Sequence, residues 1–198
     1  MQIGRYLSLD KFCTCTQTYR QWADSIDPFP KHLEETIPAL QALCAHIIDP
    51  VIAHYGQQQF ELTYGFCSTD LKRFLAKKDP VTGLKNGVST PSVDQHMAHE
   101  KNRNGRYYCD RTGAACDFRI MALGSDLLVD WIIDQALPFD SLYYYGPNRP
   151  IHISYGPQHK RQIWAFTAQG TPTKQGVESW QERVKSKGMK SKGMKSEG

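Results

Sequence analysis

Gly113-Ala114-Ala115-Cys116-Asp117-Phe118-Arg119-Ile120 is the stretch on which the reading of this chain turns. As a strand, Ala114–Ile120 puts Ala115, Asp117 and Arg119 on one face and Cys116, Phe118 and Ile120 on the other, because successive side chains alternate. The second face is apolar and suits a core. The first carries a carboxylate beside small residues that let another backbone approach closely. Ile151-His152-Ile153-Ser154-Tyr155 repeats the pattern, with His152 and Ser154 on one face and Ile151, Ile153 and Tyr155 on the opposite one. Two such strands can present Asp117 and His152 together.

Gln95-His96-Met97 adds a second imidazole from a separate segment, with His99 one helical turn away as its substitute. Two neutral nitrogens and one anionic oxygen make a good donor set for one Zn²⁺ per chain, with a fourth position left for water. His96, Asp117 and His152 are therefore the expected metal ligands. A closed site from His96, His99, Cys109 and Cys116 is the weaker alternative, since its spacing matches no common zinc finger and Cys116 faces away from Asp117.

Outward from these motifs the pattern is that of an α+β protein, helices packed on one antiparallel sheet. Leu33, Ile37, Leu40, Leu43, Ile47 and Val51 recur at helical spacing, with Pro38 suited to a first turn and Pro50 expected to kink or end the helix. Phe60–Phe66 reads as a strand, and Ser68 as the N-cap of a short helix through Leu71, Phe74 and Leu75. Ser125–Gln135 reads as an amphipathic helix capped by Ser125. Leu142–Tyr145, Ile151–Tyr155 and Gln162–Phe166 read as three antiparallel strands. Residues 1–31 are expected to form a capping segment, 32–168 the main domain, and 169–198 an extension ending in a disordered tail.

The 198 residues suit one domain with a real core, and 40% hydrophobic with 22% charged content is ordinary for a globular protein. The net charge of +4 lies in the tail: residues 185–198 repeat Lys-Ser-Lys-Gly-Met and hold five Lys and one Glu. The body is thus neutral and does not point to nucleic acid. No stretch is read as long and apolar enough to span a membrane, and the first residues lack the pattern of a secretory signal, so a cytoplasmic location with six reduced cysteines is expected.

Gln95-His96 together with Gly113, Ala115, Asp117 and Phe118 resembles the Ser-x-His-x-x-Gly-x-Ala-x-Asp stretch of the zinc D-alanyl-D-alanine carboxypeptidases, the metallopeptidases that share the hedgehog fold. Phe139-Asp140-Ser141-Leu142 followed by Ile151–Tyr155 is similar to that family's closing segment. Ile48-Asp49-Pro50-Val51 resembles its first long helix, and Thr63-Tyr64-Gly65-Phe66 the strand after it. The likeness spans residues 30–168. It implies a hedgehog/DD-peptidase-like fold and a zinc-dependent hydrolase acting on D-Ala-D-Ala termini or other cell-wall peptides.

The chain departs from the family in three places. The family's first His stands seven residues before the Asp, a position filled here by Asp110, which implies an insertion at about 97–112 beside the metal. Tyr145 falls near the family's general base, and Cys67 replaces the Arg that binds the substrate carboxylate. Compensation is expected from Glu100 or His99 as base, and from Arg103, Arg106, Arg149 and Tyr145 as substrate contacts. Two other functions stay open: a metal-binding module without turnover, and a hydrolase of an anionic, nucleotide-like substrate gripped by the insertion.

Overall fold

The computed structural model describes residues 1–87, 95–167 and 169–182. The Lys-Ser-Lys-Gly-Met repeats lie outside them. Helices α1 (Leu9–Thr14), α2 (Gln17–Trp22), α3 (Leu33–Leu43), α4 (Asp49–Tyr55), α5 (Thr69–Ala76) and α6 (Ser125–Asp134) accompany strands β1 (Phe60–Tyr64), β2 (Ala114–Ile120), β3 (Ser141–Tyr144), β4 (Ile151–Tyr155), β5 (Gln162–Phe166) and β6 (Pro172–Lys174). The strands form one six-stranded sheet in the order β1-β2-β4-β3-β5-β6. The protein is a mixed α/β fold built on a mostly antiparallel sheet.

One neighbour pair departs from the expected antiparallel order: β5 runs parallel to β3. Strand β4 is already flanked by β2 and β3, so the chain leaving β4 must cross to the far side of β3. Having reversed direction once, it arrives parallel to β3.

The alternation read from β2 and β4 holds. Cys116, Phe118, Ile151 and Ile153 are buried in the main core with Leu40, Leu43, Ile47 and Val51 from the helical face, and Leu128 and Ile132 from α6. Asp117 and His152 lie on the opposite face as direct register partners. Residues 1–31 do more than cap, since Leu7 and Phe12 enter the same core. Trp180, in the extension, does so as well, donating its indole N–H to Asp130 at 2.7 Å.

Proline acts differently from expectation in the long helix. Pro38 sits inside α3 and not in its first turn. Pro50 neither ends the helix nor stops its continuation to Tyr55, because a π-helical turn, Cys44–Ile48, precedes it. Asp49 N–H there donates to the Cys44 carbonyl five residues back, which widens the ladder just where proline has no N–H to give. Leu33–Tyr55 is, by length and composition, long and apolar enough to cross a membrane, which corrects the expectation that no segment is. Its apolar face is buried on the sheet, as the core helix of a folded domain requires.

Capping is confirmed at one helix and corrected at another. Ser68 Oγ accepts from Leu71 N–H at 3.0 Å, as expected. Ser125 does not cap α6: Gly124 occupies that position, and the Ser125 hydroxyl donates to the Arg149 carbonyl.

Candidate metal centre

His96 is carried on a short 3₁₀ turn, Gln95–Met97, that the segment after β1 grips from two directions. Cys67 N–H donates to the His96 carbonyl at 2.9 Å, and the Gly65 carbonyl lies 2.7 Å from His96 Nδ1. A carbonyl can only accept, so it fixes the proton on Nδ1 and leaves Nε2 with its lone pair. That lone pair points at Asp117 Oδ1, 3.1 Å away. His152 Nδ1 completes the group, 2.9 Å from Asp117 Oδ1 and 3.1 Å from His96 Nε2.

These donor atoms all lie within 4.8 Å of one another and could hold a metal ion. Edges of about 3.3 Å are expected around a tetrahedral ion with bonds near 2.0–2.1 Å. The observed 2.9–3.1 Å edges differ from that by a few tenths of an ångström. His96 and His152 are buried, while Asp117 retains 28% of its side-chain exposure, so the cluster is reachable from solvent on the carboxylate side.

Burial alone would raise the Asp117 carboxyl. When both imidazoles are protonated, as in the metal-free protein in acid, the charge of His96 and the N–H groups of His152 and His96 outweigh it and hold the group well below the usual carboxylate range. Aromatic rings bracket the pair: Tyr64 meets His96 edge-on at 4.7 Å, and Tyr143 stacks on His152 at 4.5 Å and 19°.

A buried polar knot lies behind His96. Gln95 Nε2 donates to the Thr112 carbonyl and, at 3.1 Å, to Asp140 Oδ2. Asp140 N–H in turn donates to the Ser154 carbonyl at 2.8 Å. The 3₁₀ turn, the approach to β2, the approach to β3 and the end of β4 therefore meet at Gln95 and Asp140. Gly156 makes room for them, since a Cβ there would stand 2.5 Å from Asp140 Oδ2 and 2.8 Å from Gln95 Nε2. Gly113 is constrained too, with φ at +80° and its Cβ position 2.2 Å from the Tyr155 carbonyl.

The structure brings His96, Asp117 and His152 together and takes the expected bases elsewhere. Glu100 is fully buried, and its Oε1 accepts the backbone N–H groups of Lys31, at 2.7 Å, and His32, at 3.3 Å. It anchors the loop before α3 and has no contact with the metal cluster among the described residues. His99 Nε2 faces Gly113 N–H at 3.4 Å, and its ring lines an open cleft of about 470 Å³ with Glu35, Tyr155 and His159, away from the cluster. Both side chains thus have partners of their own outside the cluster.

The segment read as an insertion, at about 97–112, contains a small hairpin. Lys101 pairs with Tyr107, and both bond Glu35 of α3, the Lys101 Nζ at 2.6 Å. Arg103 and Arg106 are exposed at its tip, and Arg149 is exposed in the β3–β4 turn. None of the three is drawn to the cluster. Tyr145 is exposed but shares the cluster's face of the sheet, two residues beyond Tyr143. Cys116 lies on the core face of β2, opposite Asp117, and the candidate metal-binding group among the described residues is His96, Asp117 and His152. Sequence reading missed the grip of residues 65–67 on His96, for which backbone bonds leave no residue signal, and the Gln95–Asp140 pair, whose Gln directly precedes the ligand.

The chain matches no protein-family model, no curated protein and no solved structure.

Proposed function

We propose that this chain is a zinc-dependent hydrolase of the D-alanyl-D-alanine carboxypeptidase type, with the hedgehog/DD-peptidase fold and a peptidoglycan-type peptide amide as its substrate. The observation that carries this reading is the convergence of His96 Nε2, Asp117 Oδ1 and His152 Nδ1, one anionic and two imidazole donors, with the His96 tautomer set by Gly65. A zinc ion held there supplies Lewis acidity toward water and toward an amide carbonyl.

The remaining work falls to the chain itself. Gly65 and Cys67 fix the orientation of His96, and Tyr143 fixes the plane of His152. Asp117 contributes the single negative charge of the donor set. A divalent ion held by these residues would therefore keep net positive charge, suited to polarising an amide carbonyl. The exposed edge of Asp117 marks the side from which substrate enters.

A second reading is a metal-binding module without turnover. It is favoured by the commitment of Glu100 to backbone amides and by buried Cys67 at the position of the substrate-binding cation. One experiment decides between them: zinc content of purified protein and of His152→Ala, followed by D-Ala release from a muropeptide. About one zinc per chain with D-Ala release supports the hydrolase. Zinc without release supports the module, and no zinc even when it is supplied removes both.

A further inference from the structure

The face of the sheet that carries the metal cluster does not become polar beyond it. Register places Tyr143 beside His152 on one side and beside Trp164 on the other. Tyr145 and Phe166 follow two residues along the same face, their centroids 4.7 Å apart, and Phe166 lies 6.0 Å from Tyr143. The intervening residues Leu142, Tyr144, Ile163 and Ala165 point into the core. A one-sided antiparallel sheet ordinarily alternates apolar-in with polar-out. Here the outward positions of β3 and β5 carry aromatic rings that remain partly exposed, Tyr145 at 38%.

This floor is continuous with the metal cluster, since its first ring stacks on His152. Rings laid along a strand pair form a flat apolar surface, the complement of a ligand ring presenting its own apolar face, with Lys174, the register partner of Trp164, at its far edge. The geometry points to a substrate subsite on Tyr143, Tyr145, Trp164 and Phe166 that takes a flat ring, a sugar or an aromatic side chain, attached next to the amide held at the metal. The placement of the amide rests on the hydrolase reading; the ring contact does not.

The test is binding of three probes, acetyl-Ala-D-Ala-D-Ala, its N-acetylmuramyl counterpart and acetyl-Phe-D-Ala-D-Ala, followed by calorimetry with and without zinc. A ring-bearing probe should bind at least about tenfold tighter than the ringless one, and which of the two gains identifies the ring. Trp164→Leu and Phe166→Leu, which keep apolar bulk, should erase that gain while thermal melting and zinc content stay at wild-type values. Equal affinity for all three probes, or a gain that survives both substitutions, overturns the subsite. Ring preference in a protein that takes up no zinc would keep the subsite and discard the hydrolase, so the two failures are separable.

Discussion

Asp117 and His152 are direct register partners across β2 and β4, with His152 Nδ1 2.9 Å from Asp117 Oδ1. Backbone pairing alone therefore sets two of the three donors at bonding distance, before any ion is present. Replacing either by Ala should take zinc from about one per chain to an undetectable level in mass spectrometry, with the sheet intact by circular dichroism. Retained zinc in both variants would mean that the ion binds elsewhere.

The pair behind His96 should tune affinity without touching the ion. Gln95 and Asp140 fasten the ligand-bearing turn to β2, β3 and β4. Asp140→Ala should weaken zinc binding by about 10–100-fold in a chelator competition, the range found for groups that orient metal ligands. Asp140→Asn, which keeps an acceptor toward Gln95, should recover most of it. Equal losses in the two variants would show that charge, and not orientation, is what Asp140 contributes.

Glycine 156 tests the same knot from the backbone side. A methyl group there would stand 2.5 Å from Asp140 Oδ2, so Gly156→Ala must push the Gln95–Asp140 pair aside. Zinc affinity should fall as in Asp140→Ala, and combining the two changes should cost less than their separate effects added, because they act on one pair. Full additivity would place the glycine's role elsewhere.

Acid should reveal the Asp117 interaction in the metal-free protein. A carboxyl held below its ordinary pKa in the folded state stabilises the fold above that ordinary value, and the contribution is lost as pH falls through the folded one. The difference in urea midpoint between wild type and Asp117→Asn should hold at about pH 5 and shrink below about pH 4. A difference that widened on acidification would mean that burial, and not the histidines, dominates the carboxyl.

What the sequence disclosed follows a physical division. The alternation in Ala114–Ile120 and Ile151–Tyr155 is a local property of the chain, so the core face, the site face and two ligands could be read from it. His96 was legible only through the family resemblance of Gln95-His96 and the stretch from Gly113. The parallel placement of β5 was not, because which strand pairs with which is decided by the crowding of β4 and not by β5 itself. Pro50 misled for a related reason: its missing N–H is accommodated by the π turn before it, whose residues have ordinary helical character. The partners of the candidate bases were not legible either. Glu100 and His99 are near His96 in sequence, but the tight turn through Ala98, at φ 43°, precedes side chains that face α3.

Glu100 gives the sharpest separation between the base expected from sequence and the anchor found in the fold. Its buried carboxylate accepts two backbone N–H groups, from Lys31 and His32, at the entrance to α3. Removing the acceptor leaves those amides without a partner, at a cost of about 1–3 kcal/mol. Glu100→Ala should therefore lower the melting temperature and open the 31–32 segment to proteolysis, while zinc content stays near one per chain. Glu100→Gln keeps an acceptor oxygen and should restore most of the stability. Turnover separates this anchor from a catalytic base: the glutamine variant should melt near wild type and hold its zinc in either case, and would lose turnover only if Glu100 were the base. Stability and turnover measured on that one variant settle which role Glu100 has.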